Sequence, residues 1–189
     1  MATVQDYLQN PSWVHRMEQL FDVLDTNKNG YLTVEDTQLA ADKIEKEVKP
    51  AANLMAALRA RNEDIYAAIG VVSGKQTTKD EFIKGVAALA IVEKARKEKG
   101  EETLLHKVNN AWYDVVDINH DGCVRLDEWR IVLRASNMEG AADEIFKALD
   151  KNKNGKIERK ELSDNDFKFW YVLDDPDTSG MFGDKYEKK

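Results

Sequence analysis

The chain has 189 residues, of which 42% are hydrophobic and 33% are charged, as in ordinary globular proteins. Its 35 acidic and 28 basic side chains give a net charge of −7, which argues against nucleic acid as a partner. The longest apolar run, Val86 to Val92, is too short to span a bilayer. Residues 1–20 lack the features of a secretory signal. The single cysteine, Cys123, excludes an internal disulfide, so we expect a cytoplasmic protein. We also expect a monomer.

The first strong pattern is a helix followed by a calcium-type loop. Asn10 is a predicted N-cap with Pro11 at the first helical position, and apolar residues then recur at helical spacing. The next segment, residues 25–36 (loop 1), aligns without gaps with residues 117–128 (loop 3) and 150–161 (loop 4). Each has Asp at position 1, Asn at position 3, Asn or Asp at position 5, Gly at position 6 and an acid at position 12. This is the spacing of the EF-hand calcium loop.

The coordination chemistry of Ca²⁺ explains this spacing. The ion takes about six to eight oxygen ligands, so alternate residues of a tight loop must point oxygens inward. Glycine at position 6 allows a backbone turn that a Cβ would penalise, and position 7 supplies only its carbonyl oxygen. The predicted ligands are Asp25, Asn27, Asn29, Tyr31, Thr33 and Asp36 in loop 1, Asp117, Asn119, Asp121, Cys123 and Glu128 in loop 3, and Asp150, Asn152, Asn154, Lys156, Glu158 and Glu161 in loop 4.

EF-hands work in pairs, and the stretch after loop 1 has the content of its missing partner. Pro50 is a predicted helix start, and a second apolar run begins at Phe82. Between them, residues 70–81 (loop 2) place Glu81 at position 12. However, loop 2 has no carboxylate at positions 1, 3 or 5, and Lys75 stands where glycine is expected. We predict a degenerate loop that binds no Ca²⁺ and supports loop 1 by pairing with it.

The predicted fold class is therefore all-α, with four EF-hands in two pairs packed into a globule. The first pair covers residues 1–95 and the second covers residues 96–189. In each pair we expect the residues at position 8 of the two loops to meet in a short strand bridge. The last segment, residues 174–189, is predicted to pack on the core. Its sequence resembles the start of a calcium loop, but Tyr186 stands where the acid at position 12 would be.

The active loops differ in charge, and this predicts different metal preferences. Loop 3 carries three carboxylates at ligand positions, whereas loop 1 offers only Asp25 and Asp36. Because charge count and rigidity tune affinity, loop 1 is the predicted weakest Ca²⁺ site. The short side chain of Asp36 at position 12 also suits the octahedral shell of Mg²⁺. We therefore expect three Ca²⁺ sites, with Mg²⁺ competing at loop 1.

Several segments together resemble a known family: Asn10-Pro11-x-Trp13, Leu126-Asp127-Glu128-Trp129 and Phe169-Trp170-Tyr171-x-x-Asp174. On these segments, and on the three active loops around a silent one, the chain resembles the sarcoplasmic calcium-binding protein superfamily. Within it, the chain is most similar to the aequorin-like branch of Ca²⁺-regulated photoproteins and luciferin-binding proteins. The resemblance implies two EF-hand pairs facing each other around an apolar cavity, which in photoproteins holds peroxidised coelenterazine. The candidate cavity aromatics are Trp13, Trp112, Trp129, Trp170 and Tyr171.

The resemblance also implies polar anchors that this sequence does not carry. Met17 and Asp166 stand where the family pattern implies histidines. Val86 stands where it implies a tryptophan, and Phe182 where it implies a tyrosine in the tail. The three histidines of the chain do not restore this pattern, and they are expected at the surface: His15, His106 and His120. The sequence therefore argues against light emission and against an enzyme.

Three functions are compatible with the sequence. An intracellular Ca²⁺ or Ca²⁺/Mg²⁺ buffer is favoured. The first alternative is a coelenterazine-type luciferin-binding protein or photoprotein relative with a small apolar ligand in its cavity. The second is a Ca²⁺ sensor that opens a groove for target helices. Sensors use flexible Met-rich surfaces, and five methionines beside many aromatic residues argue for a closed core instead.

Overall fold

The computed structural model describes residues 2–136 and 138–173, so the predicted packing of the 174–189 segment lies outside the described residues. Helices dominate this part of the chain, and the predicted all-α class is confirmed. None of the described helices is long and apolar enough to cross a membrane. The helices are α1 (Val4–Leu8), α2 (Pro11–Leu24), α3 (Val34–Val48), α4 (Ala52–Ala68), α5 (Lys79–Glu98), α6 (Leu104–Val116), α7 (Leu126–Ala135), α8 (Ala142–Leu149) and α9 (Arg159–Tyr171), with a 3-10 turn (Glu139–Ala141) before α8.

The helix boundaries follow local capping chemistry. The Asn10 side chain accepts a hydrogen bond from the Trp13 backbone N–H at 2.9 Å, so the predicted N-cap of α2 is confirmed. The predicted start of α4 at Pro50 is wrong by two residues, because α4 begins at Ala52. Lys49 ends α3 in the left-handed region with φ 53°, so Pro50 belongs to the turn between the two helices. Helix α1 was not predicted, since five residues carry too little periodicity.

The four loops meet in two pairs, as the sequence predicts. Leu32 of loop 1 and Thr77 of loop 2 form an antiparallel bridge with N···O distances of 2.9 Å in both directions. Val124 of loop 3 and Ile157 of loop 4 form the matching bridge at 3.1 and 2.8 Å. All four residues are at position 8 of their loops. The silent loop 2 is therefore paired with loop 1 by the same backbone contact that joins two active loops.

A glycine allows the close approach of α4 and α5 around loop 2. A Cβ atom built on Gly85 would lie 2.1 Å from the backbone carbonyl oxygen of Ile69. That distance is far below van der Waals contact, so a larger residue at position 85 would push α5 away from Ile69, the residue that follows α4. The degenerate unit thus keeps a close contact between α5 and the residue that follows α4, although it lacks the calcium ligands.

The hydrophobic core does not separate into the two halves of the chain. One buried cluster joins α3 and α4 to α6, α7 and α8, and the other joins α1, α2 and α5 to the end of α9. The predicted division between residues 95 and 96 falls inside α5. The fully buried Glu93 of α5 also accepts a hydrogen bond from the backbone N–H of Leu105 at 3.1 Å. This carboxylate therefore links the last helix of the first half to the first helix of the second.

Candidate functional site

Loops 1, 3 and 4 share one hydrogen-bond geometry. In each, the aspartate at position 1 accepts hydrogen bonds from the backbone N–H groups at positions 5 and 6. The N···O distances for Asp25, Asp117 and Asp150 lie between 2.9 and 3.1 Å. The glycines at position 6 have φ from 82° to 86°, a conformation that favours glycine. The three aspartates are buried, so each loop holds a carboxyl group out of bulk water, where a bound cation would favour it.

The carboxylate at position 12 closes each loop by joining its two ends. Glu128 and Glu161 each accept hydrogen bonds from the N–H groups at positions 3 and 9, at 3.2 and 2.9 Å. The shorter Asp36 reaches the same two positions, at 3.2 and 3.0 Å. Asp36 is only 1% exposed. Its short side chain therefore lies inside loop 1 and is placed to be a ligand.

The side chains at positions 3 and 5, which are also predicted ligands, accept hydrogen bonds from the backbone of their own loops. Each position-3 asparagine accepts from the N–H at position 5, and each position-5 side chain accepts from the N–H at position 7, within 3.1 Å. Hydrogen bonds from the Cys123 thiol and from Arg125 lower the pKa of Asp121 to about 2, so it is ionised at neutral pH. In loop 4, Glu158 at position 9 accepts from the Asn154 amide at 3.2 Å.

The donor set of these loops fits a hard cation. No group of three or more carboxylate, thiol or imidazole side chains converges in the described residues, so a cation in these loops would also need amide and carbonyl oxygens as ligands. Tyr31, Cys123 and Lys156 occupy position 7, where the backbone carbonyl is the expected ligand. A mixed set of carboxylate, amide and carbonyl oxygens suits Ca²⁺. It also suits Mg²⁺, which binds fewer oxygen ligands than Ca²⁺ does.

Loop 2 contains a cationic side chain, that of Lys75. The Lys75 Nζ atom lies 3.4 Å from the carbonyl oxygen of Gly70, at position 1, and 3.5 Å from the Glu81 carboxylate, at position 12. The Thr77 hydroxyl also donates to the Gly70 oxygen, at 3.1 Å. The ammonium group therefore joins the first and last positions of the loop, as a metal ion does in an active loop. Sequence reasoning identified Lys75 only as a misfit for glycine and missed this contact.

A cavity of about 320 Å³ lies between the two halves, at the lower end of the size range of small-molecule sites. Its wall includes residues of α2, α3, α4, α6, α7, α8 and α9. Of the five candidate aromatics, Trp112, Trp129 and Trp170 line it. Trp13 and Tyr171 do not: both are fully buried in the neighbouring core, where Trp13 packs edge-on against Tyr7.

At three further positions the family pattern implies a cavity side chain, and only some of these positions line the cavity. Met17 and Val86 are fully buried in that core and do not line the cavity, whereas Asp166 does. All three histidines of the chain lie within the described residues, and none lines the cavity. Phe182 lies outside the described residues.

Three buried polar atoms in the cavity wall have no hydrogen-bond partner among the described residues. They are Asn109 Nδ2, Trp129 Nε1 and Asp166 Oδ1, and their side chains belong to residues that are 4 to 6% exposed. Buried polar groups normally find partners because an unpaired one costs free energy. The atoms themselves are fully buried, so a ligand in the cavity would bond them only if their side chains turned toward it. Sequence reasoning missed Asn109, although its place four residues after Leu105 puts this polar side chain on the apolar face of α6.

Burial changes the charge of Asp166. It raises the pKa of the carboxyl to about 8, an effect that the neighbouring Asn109 side chain partly offsets. Although the two side chains are adjacent, Asn109 Nδ2 does not reach hydrogen-bond geometry. At neutral pH the carboxyl is therefore mostly protonated and can donate a hydrogen bond into the cavity.

Comparison with known proteins agrees with this architecture. The EF-hand family model matches residues 17–39 and 142–167, which contain loops 1 and 4. Obelin from Obelia geniculata is 30% identical over 188 residues, covering 95% of this chain and 94% of obelin. The luciferin-binding protein of Renilla reniformis is 28% identical over 162 residues, covering 82% of this chain and 85% of that protein. The crystal structure of the apoaequorin complex with (S)-HM-daCTZ superposes with a TM-score of 0.82 at 26% identity, covering 93% and 92% of the two chains.

Proposed function

This chain belongs to the aequorin-like branch of the EF-hand calcium-binding proteins, and from that membership we propose that it is a Ca²⁺-regulated carrier of a coelenterazine-type luciferin. One observation carries the proposal: the cavity between the EF-hand pairs is lined by three tryptophans, and three of its lining residues have a buried polar atom without a partner among the described residues. A mostly apolar heteroaromatic molecule with a few hydrogen-bonding groups matches that wall.

The relatives favour this function over the buffer that the sequence favoured. One relative is named for luciferin binding, and one similar solved structure is a complex with a small molecule, (S)-HM-daCTZ. A buffer has no use for a cavity with unpaired polar groups, because a self-filled apolar core would be more stable. We retain the three predicted Ca²⁺ sites, and Mg²⁺ competition at loop 1, as parts of the proposal.

Calcium control follows from which helices form the cavity wall. Leu24 ends the helix that enters loop 1, Trp112 lies on the helix that enters loop 3, and Leu162 lies on the helix that leaves loop 4. Metal binding in EF-hands changes the angle between the two helices of a unit. A change at any active loop would therefore reshape the cavity and alter ligand affinity, because a ligand binds the two shapes unequally.

Asp166 supports the role of carrier rather than light emitter. A neutral carboxyl group offers one O–H donor and one carbonyl acceptor, which can hold a carbonyl or an N–H group of the ligand. It stands where the resemblance implies a histidine, and no histidine lines the cavity. We therefore propose that the cavity holds and releases its ligand without oxidising it. The cytoplasmic location and the monomeric state stay predictions.

The test is to titrate the protein with coelenterazine while following tryptophan fluorescence, with and without Ca²⁺. Saturable quenching that Ca²⁺ weakens, without light emission, is the expected result. Asp166→Leu should weaken binding by about tenfold, the value of one or two buried hydrogen bonds, whereas Asp166→Asn keeps a donor and an acceptor and should bind nearly normally. Asp164→Asn is the matched control, since Asp164 lies on the same helix but is paired with Lys160 at the surface.

Other outcomes would identify the alternatives. Uptake of three Ca²⁺ without any response to coelenterazine would restore the buffer interpretation. A Ca²⁺-triggered flash from the loaded protein would make it a photoprotein and contradict the carrier role.

A further inference from the structure

The charged residues of the cavity wall differ in sign from the protein as a whole. Among the described residues, the acidic and basic side chains that line the cavity are Lys28, Lys43 and Asp166. The whole chain has 35 acidic and 28 basic side chains and a net charge of −7. Because burial raises the pKa of Asp166 to about 8, its carboxyl is mostly neutral at neutral pH. The wall therefore contributes two positive charges and little negative charge.

Both lysines are in contact with solvent as well as with the cavity. Lys28 is at position 4 of loop 1 and, of the described residues in this wall, it alone is exposed. Lys43 on α3 is half-buried, next to the buried cavity residue Ile44. The rest of the wall is mostly apolar and includes three tryptophans. An apolar cavity with basic side chains at its solvent side matches an amphipathic molecule, because each end of that molecule then meets complementary chemistry.

Neither lysine has a carboxylate partner in the part of the chain that the structure describes. Lys43 makes no hydrogen bond or ion pair there, and the Lys28 ammonium donates to the backbone carbonyl of Asp22. The neighbouring cation Arg59, by contrast, is paired with Asp42 on the same helix as Lys43, at 2.8 Å. A half-buried ammonium group loses part of its hydration, and an anion in the cavity would compensate that loss. Lys43 is therefore available to a ligand.

We propose that the cavity takes an organic anion: an apolar, aromatic body that lies among the tryptophans, with one ionised acidic group such as a sulfonate, sulfate ester or carboxylate held by Lys43 and Lys28. The inference rests on the proposed function for the luciferin-like body, and it adds that the molecule carried is an acidic form of it. Neutral and anionic molecules with the same rings fill the apolar wall alike, and only the anion is attracted by the two ammonium groups.

A purely structural role for the lysines makes a different prediction. Lysine stems often cover apolar surface while the ammonium group stays in water. In that case the charge of Lys43 has no effect on which molecule binds, and a residue with a similar stem and no charge replaces it without loss. Lys43→Met is such a replacement, whereas Lys43→Arg keeps the charge. The two variants therefore separate recognition by charge from covering of the wall.

The test compares two fluorescent probes with the same rings, the anion anilinonaphthalene sulfonate and the uncharged phenylnaphthylamine. Both are titrated into the calcium-free protein with excitation through tryptophan, because three of the four tryptophans line the cavity. The measured quantity is the preference for the anion, the ratio of the two Kd values. Lys43→Met should lower this preference about fivefold and Lys28→Met about twofold, the range of partly screened ion pairs, and Lys43→Arg should keep it. Lys46→Met is the matched control, since Lys46 is an exposed lysine of α3 outside the cavity wall.

Salt gives a second measurement on the unmodified protein. Raising the ionic strength from about 0.01 M to about 1 M should weaken binding of the anionic probe and leave the uncharged probe unaffected. If coelenterazine does not bind but the preference for the anion depends on Lys43, the luciferin assignment fails and the anion site stands. If the anionic probe does not bind, or if Lys43→Met lowers the preference no more than Lys46→Met, the anion site is wrong, whether or not coelenterazine binds.

Discussion

The Trp13 indole Nε1–H donates a 2.9 Å hydrogen bond to the backbone carbonyl oxygen of Trp170, across 157 positions of sequence. Beside it, the Tyr7 hydroxyl donates to the carbonyl oxygen of Tyr171 at 2.6 Å. The last carbonyls of a helix have no partner within that helix, so side chains of α1 and α2 satisfy the end of α9. These bonds therefore join the start of α2 to the end of α9, the ends of the two helices that lie away from loops 1 and 4.

Trp13→Phe should destabilise the protein by about 1–2 kcal/mol more than Trp129→Phe, as judged by urea unfolding. Both substitutions remove the same atoms from a buried tryptophan, but only Trp13 loses a hydrogen bond and leaves a buried carbonyl unpaired. Trp129→Phe should instead weaken coelenterazine binding. Equal losses of stability in the two variants would mean that the bond to Trp170 has no net value.

Lys75→Gln tests whether the silent loop depends on its own cation. The expected loss is below about 1 kcal/mol, because Lys75 and Glu81 are 40% and 46% exposed and water screens their attraction. Calorimetric titration should still find three Ca²⁺ per chain, since loop 2 has no acid at positions 1, 3 or 5. Lys84→Gln, a change at an exposed lysine of α5, is the control. A fourth Ca²⁺ in Lys75→Gln would contradict the idea that the loop is silent for lack of ligands.

The calcium loops were the most predictable part of the molecule because coordination chemistry dictates each residue type by position. The geometry of Asp25, Asp117 and Asp150 is the same in three separate loops, so local sequence suffices to specify it. Pairing with loop 2 followed from the position count alone, although its ligands are missing.

The cavity wall could not be predicted in the same way. Trp13 and Trp112 both lie on helices that enter calcium loops, yet only Trp112 lines the cavity. Which face of a helix meets the cavity depends on how the two halves pack, and no local pattern records that. The burial of the polar side chains of Asp166 and Asn109 is likewise decided by tertiary packing.

Asp36→Glu should increase the preference of loop 1 for Ca²⁺ over Mg²⁺ on the order of tenfold, because a longer carboxylate can supply two oxygens to the larger ion. The Asp36 side chain already reaches the backbone positions that Glu128 and Glu161 reach in the other loops, so the change requires no new backbone path. Calcium titration at fixed millimolar Mg²⁺ measures the effect. Glu35→Asp, at the exposed neighbouring position, is the control, and unchanged competition in Asp36→Glu would refute the mixed-site prediction.

Asp166 should make the folded protein less stable as pH rises. Its pKa is about 8 in the folded protein and 3.8 in an unperturbed chain, so between these values the native state binds the extra proton. The free energy of unfolding should therefore fall by up to about 1.4 kcal/mol per pH unit across that window, and the loss should stop above pH 8. Tyr171 is nearby, but burial raises its pKa well above 10 and it does not titrate in this range. The measurement is urea unfolding at saturating Ca²⁺ from pH 5 to 9. The free energy of unfolding of Asp166→Asn should rise relative to that of the wild type as pH rises, whereas that of Asp164→Asn should follow the wild type. Parallel curves for all three proteins would mean that Asp166 is ionised in the folded state.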